Sequence, residues 1–312
     1  MRNKIALISA IIFFAYDAFC QESRRMGDGP YFDFCYSPSE TCLFSAGLNG
    51  VFAWDLFSGK QLIQFGTVKS TCYISVDIAP DSSFLAASGT DSTIYLWNLQ
   101  TLLLEKTLKL GAMVHVLKFH GEKEILAGTE NGELLKLIIP DLLLANRKRI
   151  FKGEITSLIY DEGYIVLAGE DRLIKVLTPD KWVTTDSLSN HHDWIRALIK
   201  DNSISDAYSC GDDGKVFRYH LQNGRLSNSH KVFNSLFPHW VISLDTKANA
   251  TFAIANVNGR INILTDYSEL VFHCNEPIYK IRFFPKTDFL TIVAATSHGI
   301  RIISANEITG GN

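Results

Sequence analysis

Two short runs hold the side chains best suited to act on another molecule. His191-His192-Asp193-Trp194 places two imidazoles, a carboxylate and an indole in consecutive positions, and Phe237-Pro238-His239-Trp240 adds another imidazole and indole. Imidazole ligates metals and moves protons near neutral pH, while Trp and Arg are the side chains that anchor protein interfaces. Arg172 and Asp212 contribute opposite charges nearby in the pattern. Three readings are open for these runs. Trp194 and Trp240 are the first core residues of strands, or the runs contact a partner, or the histidines hold a metal. Sequence motifs for chemistry are missing: there is no HExxH, no GxSxG, no phosphate-cradling glycine loop and no metal-spaced Cys/His set. Gly211-Asp212-Asp213-Gly214-Lys215 is acidic, but it lacks the alternating oxygen ligands of a calcium loop and reads as a turn. No cofactor, no metal and no catalytic residue are therefore expected.

Composition bounds the rest. With 312 residues, 46% hydrophobic and 20% charged, the chain can bury a large core. A net charge of −3 offers no basis for general nucleic-acid binding, and Arg147-Lys148-Arg149 reads as a solvated loop. Six cysteines stand at 20, 35, 42, 72, 210 and 274, with no CxxC, so neither a disulfide framework nor a zinc site is indicated. A Cys35–Cys42 bridge across one hairpin stays open.

The first 20 residues differ from the remainder. Arg2 and Lys4 precede an apolar run over residues 5–20, which carries Asp17 and gives way to Gln21-Glu22-Ser23-Arg24-Arg25. A charged start, a short apolar segment and a small-residue exit describe a secretory signal peptide cleaved before Gln21. The segment resembles the leaders of Gram-negative bacterial exported proteins. The expectation is an exported chain, periplasmic or extracellular, with residues 21–312 as one domain and no membrane contact after cleavage. The alternative is a cytoplasmic chain in which residues 5–15 form a buried first strand.

The elements that must position the candidate runs come from a repeat. Residues 80–99, PDSSFLAASGTDSTIYLWNL, read as turn, strand, turn and strand, and the second strand alternates Ile94, Leu96 and Asn98 with Thr93, Tyr95 and Trp97. The Asp91-Ser92 turn has equivalents at Asn49-Gly50, Asn131-Gly132, Asp171-Arg172, Asp213-Gly214, Asn258-Gly259 and His298-Gly299, spaced by about 41.5 residues. That period marks a propeller. Upstream of each turn lies an inner strand with apolar residues at i, i+3 and i+5, as in Tyr73/Val76/Ile78. In the fifth unit the pattern fits Trp194/Ala197/Ile199.

This pattern resembles the WD40 repeat family over nearly all of the chain after residue 30. Trp54-Asp55 and Trp97-Asn98 carry the resemblance, with the Ser37-Pro38 and Pro80-Asp81 turns upstream. The family's Gly-His dipeptide is missing, and only His192 lies near its position. The resemblance implies an all-β, seven-bladed propeller of four-stranded antiparallel blades, closed by a shared last blade. Residues 21–26 are expected to supply its fourth strand, with residues 5–14 as the competitor. It further implies that Arg172, His191, His192, Asp193, Trp194, Asp212, His239 and Trp240 gather on one face, called the top. The implied function is a non-enzymatic, monomeric scaffold binding another protein or peptide there. The rival is a propeller enzyme, lactonase-like or metal- or quinone-dependent, using inward residues from several blades. The inner strands carry Asp33, Asp77, His115, Arg196, Asp245 and Lys280 for such a role.

Overall fold

The computed structural model describes residues 24–66, 71–161, 163–201, 206–232, 240–247, 251–265, 269–285 and 290–304. These residues form seven four-stranded antiparallel sheets. Blade two is typical: an inner strand (Tyr73–Ile78), a second (Phe84–Gly89), a third (Thr93–Asn98) and an outer one (Leu103–Lys109), each paired with the next. In blade seven the outer strand is Arg24–Met26, antiparallel to Gly299–Ile303, with Arg24 opposite Ile302 and Met26 opposite Ile300. The start of the propeller therefore closes its end. Residues 5–14, the competing candidate, lie outside the described residues.

The alternation in the third strands is what joins the blades. In blade two, Ile94 and Leu96 enter a cluster with Val114, Leu117 and Leu135 of blade three. Tyr95 and Trp97, on the opposite face, enter a cluster with Phe44, Val51 and Phe65 of blade one. A strand buried on both faces needs apolar residues at both parities, so Thr93 to Trp97 are all buried. Ala86 and Ala87 in the next strand divide the same way, and their small size lets the sheets approach. Met26 repeats the logic at the closure, packing in one cluster with Trp54, Leu56 and Ile300.

The inner strands are sheet edges, and polar side chains protect them. Asp33 accepts the Val76 N–H (2.9 Å), Ser75 the Leu117 N–H, Ser157 the Leu198 N–H and Ser243 the Ile281 N–H. Two residues further on, Asp77 accepts from Phe119 and Asp245 from Phe283. Each of these bonds crosses from one blade to the next. The charged residues that the rival enzyme reading needs are engaged here. Lys280 binds Asp33 and the Phe34 carbonyl, and Lys118 binds Asp77.

Two expectations are corrected and one open alternative is decided. Arg147, Lys148 and Arg149 are not a loop; they end the outer strand of blade three (Leu143–Arg149). Cys35 and Cys42 pack in one cluster but are free thiols, as are Cys72, Cys210 and Cys274. In the fifth inner strand the core positions belong to Ile195 and Leu198, one residue later than the sequence pattern places them. Trp194 and Ile195 are both apolar, so the sequence leaves the phase ambiguous. The pairing of Ile195 with Gly211, and the room for a branched side chain between blades four and five, decide it.

Candidate protein-binding site on the upper rim

Antiparallel order puts the outer-to-inner connections and the second-to-third turns on one face, called upper here. Each inner strand begins there with the same device. The residue before the first core position accepts a backbone N–H from the facing turn: Leu48 to Pro30, Thr90 to Cys72, Glu130 to Met113, Glu170 to Glu154, Asp212 to Trp194, Val257 to Trp240 and Ser297 to Pro277. A bulge then follows the first core residue in every blade. A bulged residue is turned out of the ladder. These residues are Phe32, Ile74, His115, Thr156, Arg196, Ile242 and Tyr279, all half-buried, and they ring the upper mouth of the channel.

The ring divides by chemistry. Blades six, seven, one and two give Ile242, Tyr279, Phe32 and Ile74, with the Phe32 and Tyr279 rings 4.9 Å apart. Blades three, four and five give His115, Thr156 and Arg196. His115 Nδ1 meets Glu154 at 2.9 Å, and the Thr156 hydroxyl donates to the Ile195 carbonyl at 2.5 Å.

Arg196 is the centre of the polar side. Its Nε and Nη2 donate to the two Asp212 oxygens at 2.8 and 2.5 Å. Its guanidinium lies 4.6 Å from the Trp194 ring centroid and 6.0 Å from that of Trp240. Burial works against its charge, but Asp212 more than offsets this and holds Arg196 above the ordinary arginine range. Trp194 and Trp240 occupy equivalent positions in adjacent blades, so the fold presents two indoles flanking one fixed cation. Trp240 is 52% exposed. Cation–π contacts of this kind fix a surface that would otherwise move.

The expected site residues separate into groups. Trp194, Asp212 and Trp240 come together around Arg196. His192 and Asp193 are exposed on the same connection; the His192 N–H donates to Asp213 and Asp193 receives the Trp194 N–H. Arg172 is exposed in the blade-four turn. With φ of 64° it stands where Gly132, Gly214 and Gly259 stand in other blades, a conformation that is uncommon for a side-chain-bearing residue. Phe237, Pro238 and His239 lie outside the described residues.

His191 leaves the group, because it is buried and faces the blade interior. Its Nδ1 meets Asp213 at 3.0 Å and its Nε2 meets the Ser209 hydroxyl at 2.7 Å, which in turn meets the Tyr219 hydroxyl at 3.0 Å. Asp213, His191, Ser209 and Tyr219 thus form one hydrogen-bonded network in blade five, and it is His191 rather than His192 that enters it. Blade one keeps a fragment, Trp54 Nε1 donating to Ser45 at 2.8 Å. Asp55 and Asn98 each cap the next turn by accepting two backbone N–H groups.

Sequence reasoning undervalued Arg196, taking it as one scattered inner-strand charge. The signal that could have found it is the pair Trp194 and Arg196 at i, i+2 beside the Asp212 turn. Among the described residues no three His, Cys, Asp or Glu side chains converge so as to hold a metal ion.

Comparison with known proteins bears on the fold and on one repeat. Residues 61–98 match the WD domain, G-beta repeat. That match runs from the outer strand of blade one through the third strand of blade two, so the sequence repeat is offset from the blade by one strand. The β-propeller domain of Cps50 (Swd1) from Myceliophteria thermophila superposes with a TM-score of 0.79 over 91% of this chain and 99% of that one, at 14% identity. The structure of U3-55K superposes at 0.75 over 91% and 98%, at 15% identity. Among curated proteins, eukaryotic translation initiation factor 3 subunit I of Phaeosphaeria nodorum is 26% identical over 106 residues, 33% of this chain. Cilia- and flagella-associated protein 57 of Mus musculus is 20% identical over 287 residues, 88% of this chain. The chain spans 32% and 22% of the lengths of these two relatives.

Proposed function

We propose that this propeller is a non-enzymatic interaction platform of the WD40 type, binding a protein or peptide on its upper rim at blades five and six. The observation that carries the reading is the Trp194–Arg196–Trp240 arrangement, locked by Asp212. Two indoles and a guanidinium, held in place and partly exposed, are the side chains of interface anchors. The apolar half of the ring, from Ile242 to Ile74, offers a second contact for the same partner. One relative is by name a subunit of a translation initiation factor, and this agrees with a partner-binding role. Residues 1–20 support delivery to an exported compartment, and N-terminal analysis of protein from the native host tests that part. For binding, the test is affinity capture from native extract. Trp240→Ala, and separately the combined Arg172, His192 and His239 substitutions, should deplete the captured partner while the melting temperature is kept. Capture unchanged in both removes the upper rim as the binding surface.

A further inference from the structure

The lower face carries a feature the upper-rim reading does not use. Large apolar side chains are exposed where each outer strand of blades one to four begins: Leu62 (51%), Leu102, Leu103 (67%), Leu104, Leu143 (62%), Leu144 and Val183 (52%). They recur because blades two and three repeat a Leu-Leu-Leu run, at 102–104 and 142–144. In blade three the first leucine, Leu142, is buried among its neighbours, while Leu143 and Leu144 point out. Beyond them on the same strands, toward the upper face, stand exposed Lys106, Lys109, Arg147, Lys148 and Arg149; Arg147 is paired with Glu133, Lys148 and Arg149 donate to backbone carbonyls, and Glu105 shares the strand of the two lysines. Asp141 and Asp180 lie in the turns themselves.

We infer that this rim docks on a lipid surface bearing anionic headgroups, in place of the expectation that the cleaved chain makes no membrane contact. Three observations select that occupant. Apolar tips below a belt of cations match the order of acyl chain and headgroup at a bilayer interface. The tips sit at the outer corners of four successive blades, so they lie along an arc that a fluid surface can follow. Arg24 and Arg25 begin the closing strand at the lower rim of blade seven, beside blade one, and the apolar residues 5–20 join the chain just before them.

Vesicle co-sedimentation of the full chain tests this, with phosphatidylcholine vesicles containing about 30% phosphatidylserine against phosphatidylcholine alone. The expected result is binding to the anionic vesicles that falls about tenfold in Leu103→Asp/Leu143→Asp. Lys106→Glu/Lys109→Glu should weaken it and flatten its salt dependence. All four positions are exposed, and circular dichroism checks that the variants fold. No binding, or binding that the leucine pair leaves unchanged, overturns the proposal. So does self-association or capture of an acidic protein segment that depends on the same leucines while vesicles do not bind.

Discussion

At the residue scale, His191 and Trp240 were candidates of the same kind, and the structure gives them opposite settings, one buried and one exposed. His191 is buried in a hydrogen-bonded chain of Asp213, Ser209 and Tyr219. His191→Ala strands a buried carboxylate and hydroxyl and should cost about 2–3 kcal/mol in urea denaturation, with partner capture retained. Trp240→Ala should do the reverse, changing stability by about 0.5 kcal/mol or less and abolishing capture. Asp213 also sets a pH response. Burial raises its pKa, but the hydrogen bond and charge of His191 outweigh that and hold it below the ordinary carboxylate range. A depressed folded-state pKa contributes stability above the unfolded value, and this is lost as pH falls through the folded one. Asp245 runs the other way, because burial outweighs Arg282 and raises its pKa. Its contribution is lost as pH rises above the unfolded carboxylate value. Asp245→Asn can still accept the Phe283 N–H, and should leave stability at neutral pH equal or higher while flattening its fall above about pH 4. Thermal melts across pH 4–8 would show no such flattening if the carboxylate is fully ionised in the fold.

At the scale of elements, the closing strand is short and heavily tied. Arg25 donates to Glu276 at 2.9 Å, and Arg24 reaches the Phe57 carbonyl of blade one at 2.7 Å. Glu276 is buried and also receives the Thr296 hydroxyl and meets His298. Glu276→Gln removes the counter-charge of Arg25 and Arg301, both of which reach water, and should lower stability by about 1 kcal/mol. Deleting residues 21–29 removes Met26 from the blade-seven and blade-one cluster and should lower the melting temperature further. A melt indistinguishable from that of the intact chain would mean the ring closes without this strand. The strand's role was expected from the resemblance, which implies closure by a shared last blade, and the pairing with Gly299–Ile303 bears it out. The phase of the fifth inner strand was not legible in the sequence. Two adjacent apolar residues satisfy the same periodicity, and only packing between blades four and five distinguishes them.

For the whole molecule, the ring is joined by side chains as well as by apolar clusters. Asp33 is the best example: it accepts from Ser75 and Val76 of blade two and from Lys280 of blade seven, so one carboxylate spans three blades. Burial raises its pKa, but Lys280 and Lys118 overcome this and hold it below the ordinary aspartate range. Asp33→Ala should cost about 3–5 kcal/mol, since it leaves a buried lysine unpaired and an inner-strand N–H without an acceptor. A loss no larger than that of an exposed substitution would show that the ring does not depend on this link.

The sequence by itself determined the number of blades and the strand pattern within them, because these follow from local periodicity and turn chemistry repeated along the chain; which segment closes the ring was decided by the structure. The sequence also marked the connections before blades five and six as departures from the repeat. Only the tertiary structure decided where the described side chains of those departures sit. Whether an imidazole faces a neighbouring serine or the solvent depends on a one-residue phase and a bulge, and these are fixed by contacts between residues far apart in the chain. The same holds for Arg196, whose two indoles and carboxylate come from three separate segments. The leucine runs of blades two and three likewise became a surface only when adjacent blades placed them side by side.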